Sequence, residues 1–128
     1  MACQSIAPEH ALRELCRALD LPYELAQWGK VNADARRLRE FVAYYEAHPS
    51  LCEVQRREML ELILASANEH LSSGAASLPA AVPQFLLRNQ RTFRDQLLRW
   101  SGLGDRVQFP VARWLREHLQ LVPNQTSD

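Results

Sequence analysis

The sequence lacks most of the features that announce a function. No apolar run approaches the ~18 residues of a membrane span, so none is expected. The opening MACQSIAPEH has neither a basic region nor an apolar core, so it does not read as a secretory signal. Cysteine is scarce. Cys3, Cys16 and Cys52 are odd in number, scattered and without a CxxC pair, which predicts free thiols, a reducing compartment and a cytoplasmic location. An excess of one charge is missing, with 15 basic and 15 acidic residues. A general nucleic-acid binder usually carries a basic excess, so that reading starts behind. Lysine is almost absent, with Lys30 standing beside fourteen arginines.

What remains is an ordinary globular composition. The chain has 128 residues, 47% hydrophobic and 23% charged. That suits a single helical domain over 1–128 with a real core. The charges are unevenly distributed. Residues 1–74 carry eight basic and eleven acidic side chains, and residues 75–128 carry seven and four. Two readings stay open: opposite charges facing each other inside one fold, or two differently charged surfaces, one for a partner.

Polar/apolar alternation is nearly absent and helical spacing recurs, so the fold class is all-α, a compact bundle of five or six helices. Pro8 opens the first helix, with Leu12, Leu15, Cys16 and Leu19 on one stripe, and Asp20 and Leu21-Pro22 end it. Tyr23 to Trp28 reads as a short turn or helix. Gly29 then reads as a break and Asn32 as the N-cap of a helix over 33–47, striped by Leu38, Phe41, Val42 and Tyr45. His48-Pro49 closes it. Ser50 and Glu53 form a capping-box pattern ahead of a long central helix over about 51–71. Leu60, Ile63, Leu64, Ala67 and Leu71 stripe that helix, and Met59 and Leu62 widen the stripe as expected at the centre of a bundle. Gly74 to Pro83 reads as a flexible loop and a hinge between two halves. A helix over 84–100 follows, carrying Leu86, Phe93, Leu97 and Trp100 on one face. Gly102 and Gly104 stop it. Pro110 opens a last helix with Val111, Trp114, Leu115 and His118, and 123–128 reads as a frayed tail.

No catalytic motif is present. There is no HExxH and no Glu-x-x-His pair, so no metal or cofactor is expected. His48, His70 and His118 fall near helix ends, where a histidine suits the helix dipole. Ser66 lies mid-helix beside Asn68 and His70 without a GxSxG turn. SGLGD lacks a Walker lysine. Glu58 and Glu61 share a helix face at i, i+3, and with Glu69 they form an acidic strip. That pattern points to a solvated face or a partner-binding surface, with Glu58, Glu61, Asn68 and Glu69 as its residues. Arg91, Arg94 and Arg99 are the alternative partner-binding set, for an acidic protein or for nucleic acid. The loop between the last two helices is too long for a helix-turn-helix.

Three stretches carry a resemblance. The first is Trp28-Gly29-Lys30-Val31-Asn32-Ala33-Asp34 followed by Arg37, Glu40, Phe41 and Tyr45. The second runs from Glu61 to Glu69. The third is Phe93, Leu97-Leu98-Arg99-Trp100, Phe109-Pro110-Val111 and Leu115-Arg116. In this order they resemble a group of small helical bacterial proteins, some of which look like immunity proteins that protect a cell against a cognate toxin. The resemblance implies a non-enzymatic module that binds and neutralises a protein toxin. It carries over no catalytic residue. The expectation is therefore a cytoplasmic, antitoxin-like inhibitor whose partner is a protein, with a homodimer compatible. A nucleic-acid-binding regulator and a small hydrolase stand as alternatives.

Overall fold

The structure, a computed structural model, describes residues 8–24, 26–102 and 110–119. Gly104, Phe109, Cys3 and the expected tail over 123–128 lie outside these. Among the described residues the chain is all-α with no strand. The elements are α1 (Pro8–Leu19), α2 (Trp28–Val31), a 3-10 turn (Ala35–Arg37), α3 (Leu38–Ala47), α4 (Glu53–Ser72), α5 (Ala81–Asn89), α6 (Arg94–Ser101) and α7 (Pro110–His118). No helix among the described residues is long and apolar enough to cross a membrane. The chain divides into two compact units, Met1–Glu69 and His70–Asp128. The division falls inside α4 and not in the 74–83 stretch that reads as a hinge.

In the first unit α1 starts at Pro8 and buries Leu12, Leu15, Cys16 and Leu19, as its spacing predicts. Its stop is chemical. Asp20 takes a left-handed backbone at φ 56°, and Leu21 N–H donates to the Cys16 carbonyl at 2.9 Å. This is the six-residue closure that ends many helices, with aspartate in the place of glycine. Arg37 then donates to the Leu19 carbonyl at 2.8 Å, satisfying another end group of α1.

The region after α1 differs from the sequence reading. Gly29 does not break the chain; it lies inside α2. Asn32 is the C-cap of α2 and not an N-cap. Its buried amide donates to the Trp28 carbonyl at 3.1 Å and to the Pro22 carbonyl at 3.2 Å. The N-cap role passes to Asp34, whose carboxylate accepts from Arg36 N–H at 2.9 Å and starts the 3-10 turn. The expected helix over 33–47 is therefore a 3-10 turn followed by α3. Leu38, Phe41 and Val42 are buried as predicted, and Tyr45 is half-buried.

The start of α4 is displaced too. Cys52 and not Ser50 is the residue before the helix: its carbonyl accepts from Arg56 N–H at 2.9 Å, and its N–H donates to the Gln55 side chain at 3.2 Å. This is the returning half of a capping box, shifted by two residues. The Gln55 amide also donates to the Ala11 carbonyl and to Glu14, tying α4 to α1. Cys52 is disulfide-bonded, so the expectation of free thiols throughout is corrected. Cys16 is free and buried. From Leu62 to Ala67 every α4 residue is 6% exposed or less. A helix buried around its whole circumference is central to its unit, as the wide stripe predicts.

In the second unit the last turn of α4 is pinned by its own loop. His70 Nε2 lies 3.0 Å from the Ser77 carbonyl, and Ser73 Oγ donates to the His70 carbonyl at 2.7 Å. Gly74, at φ 100°, makes the turn. The single helix expected over 84–100 is two, α5 and α6, broken at 90–93. The reason is a gap in the apolar stripe: one turn after Leu86 come Asn89 and Gln90. Both side chains fold back onto carbonyls of α5, Asn89 on Phe85 and Gln90 on Leu87. Phe93 re-establishes the stripe, and α6 buries Leu97 and Trp100. α7 starts at Pro110 as predicted and buries Val111, Ala112 and Leu115. Arg116 joins it to the end of α6 by a 2.6 Å hydrogen bond to the Ser101 carbonyl.

Candidate protein-binding surface

The surface is built where α2 crosses α4. A Cβ on Gly29 would stand 2.7 Å from Leu62 N, 2.8 Å from the Glu61 carbonyl carbon and 2.9 Å from Glu61 Cβ. Glycine is required because the two backbones touch there. Further along the same segment, Asp34 N–H donates to the buried Ser66 hydroxyl at 3.0 Å. The 29–34 segment thus crosses the 61–66 stretch of α4. Trp28, fully buried, anchors its start and donates from Nε1 to the Cys16 sulfur at 3.2 Å. That sulfur in turn lies 3.5 Å from the Pro22 carbonyl.

This crossing reorganises the acidic strip. By helical geometry Glu58, Glu61, Asn68 and Glu69 fall within an arc of roughly 100°. Half-buried Glu61 lies against Gly29 at the crossing itself, half-buried Glu58 precedes it along α4, and half-buried Asn68 and exposed Glu69 follow it. The carboxyl of Glu58 is pushed above the usual glutamate range, first by burial and then by the charge of Glu61. Both Glu61 and Asn68 take part in interactions within the structure, so the carboxylates are not the uncommitted strip that the sequence suggests.

Two residues that sequence reasoning did not single out as exposed belong here. Val31 sits two positions after Gly29, roughly 200° around α2. Gly29 faces α4, so Val31 faces away from it and is 58% exposed. Lys30 beside it is also exposed. The signal was present in Trp-Gly-Lys-Val, but it is readable only once Gly29 is known to sit within a helix.

The remaining candidates are accounted for locally. Arg37 grips Glu40 through two hydrogen bonds of 2.9 and 2.6 Å, which lowers the Glu40 pKa, and its guanidinium lies 5.0 Å from the Phe41 ring centre. Arg36 and Asp34 pair at the surface at 3.3 Å, and the Asp34 pKa is lowered first by that side-chain bond. His48 stacks on Tyr44 and His118 on Trp114, with ring centres 4.0 and 4.4 Å apart. Each histidine also places Nδ1 within 2.9 Å of the carbonyl of that same aromatic residue. These rings finish helices, as their positions predict. Among the described residues no group of three or more His, Cys, Asp or Glu is placed to hold a metal ion.

The alternative arginine set does not form one face. Arg91 is in the break between α5 and α6, Arg94 begins α6, and Arg99 lies in its last turn, about 140° around the helix from Arg94. Arg113 pairs with Glu117 at 3.1 Å, and Arg116 is committed to Ser101. Among the described residues, Leu87, 51% exposed on α5, is the exposed large apolar residue nearest in sequence to this basic stretch. No family model, curated protein or solved structure matches the chain.

Proposed function

We propose that this chain acts by binding another protein and not by catalysis, and that it is an immunity protein that neutralises a cognate toxin. The observation that carries the binding reading is the α2–α4 crossing: a solvent-facing Val31 on α2, packed through Gly29 against α4, which carries the half-buried Glu58–Glu61 pair. Protein interfaces combine apolar contacts with a charged rim, and this arrangement supports the reading. The immunity assignment rests in addition on the resemblance of the three sequence stretches. Under it the acidic pair meets a basic cleft of the toxin and steers association. Glu58 suits that role. Burial raises its pKa first and the charge of Glu61 second, and a cation from the partner would offset both.

The test is capture of partners by the tagged chain from its native lysate, followed by expression of each captured protein alone and together with the chain. A stoichiometric partner that arrests growth alone and is tolerated on co-expression supports the immunity reading. A partner-free chain overturns the binding reading. The surface is tested by Glu58→Arg with Glu61→Arg, and separately by Val31→Asp. Each should weaken binding at least about tenfold, whereas Glu69→Arg, across the crossing segment, should not. Unchanged affinity in the first two variants would remove the assignment of this surface.

A further inference from the structure

We draw no further inference here: the strongest candidate, the exposed Val31 patch on the outer side of α2 above the Glu58–Glu61 pair of α4, belongs to the surface already described, and nothing in the structure shows what else covers it.

Discussion

Replacing Gly29 with alanine sets two effects of similar size against each other. Helix propensity favours alanine over glycine by about 1 kcal/mol, and Gly29 has no positive φ that would oppose the change. Propensity alone therefore predicts a more stable protein. The contacts predict the reverse. The new methyl would meet three atoms of α4 at 2.7–2.9 Å, against ordinary contacts of about 3.5–4.0 Å. Two of the three are backbone atoms, and all belong to the stretch of α4 that leads into the buried residues Leu62–Ala67. That stretch has no room to retreat, so α2 must lift by roughly 0.5–1 Å. Lifting α2 strains the Trp28–Cys16 and Asn32–Pro22 hydrogen bonds, which leave the segment. Overpacking costs about 1–3 kcal/mol, and each weakened hydrogen bond adds up to ~1 kcal/mol. Against the propensity gain, the net expectation is a loss of about 2 kcal/mol. In urea that lowers the midpoint by about 1 M. Two other glycines serve as controls. A Cβ at Gly102 meets its nearest atom at 3.4 Å, an ordinary contact, so Gly102→Ala should stay within about 0.5 kcal/mol. Gly74 has open space but φ 100°, so Gly74→Ala should lose about 1 kcal/mol through backbone strain alone. A Gly29→Ala protein that melts at or above the wild-type midpoint refutes the close-contact argument.

The other predictions follow from single groups. Asn32→Ala removes the side-chain donor shared by the Pro22 and Trp28 carbonyls, the latter keeping the Asn32 backbone N–H, and should cost about 1 kcal/mol, while Asn32→Asp, which sets a carboxylate against those carbonyls, should cost more; an aspartate variant as stable as the alanine one contradicts the assigned roles. Because the folded-state pKa of Glu58 is raised, its carboxyl favours folding below the ordinary glutamate value and loses that effect as pH rises through the raised value. Glu58→Gln should therefore stabilise the protein at neutral pH and not at about pH 3, as read by urea melts at both. Glu40 has the opposite sign: its lowered pKa contributes stability at neutral pH that is lost as pH falls through that value, so Glu40→Gln should be the less stable protein at neutral pH only. Alkylation of the unreduced chain followed by peptide mass spectrometry should label Cys16 only after unfolding and leave Cys52 unlabelled. Labelling Cys52 in protein whose thiols are blocked inside the cell contradicts the disulfide and returns the chain to a reducing compartment.

The elements that were legible in the sequence are those whose burial is set by their own periodicity. α1, α4 and α7 each carry a stripe of leucine, isoleucine or valine at helical spacing, and each starts within two residues of the position expected. The histidines at helix ends were legible for the same reason, since their partners lie four residues away. What was misread depends on contacts between distant residues. Gly29 looks like a breaker until it is seen against Glu61 and Leu62, and Asn32 looks like an N-cap until its amide is seen on Pro22. The capping pattern at Ser50 gave way to Gln55, which also reaches the Ala11 carbonyl. The acidic residues share a face of α4 by their spacing, but the segment that crosses α4 between Glu61 and Ser66 is revealed by no local pattern in that helix.

α2 has four residues, far fewer than the ~12–15 at which an isolated helix becomes marginal in water. It exists only because Trp28, Gly29 and Asn32 are each held by other parts of the first unit. It therefore has no local way to open without freeing a fully buried indole and a buried amide. In hydrogen exchange the Trp28 indole proton and the Asn32 side-chain protons should behave as core groups, exchanging with the slowest backbone amides of α4 and not with the surface turns around them. A surface carried on such an element would be held ready before any partner arrives.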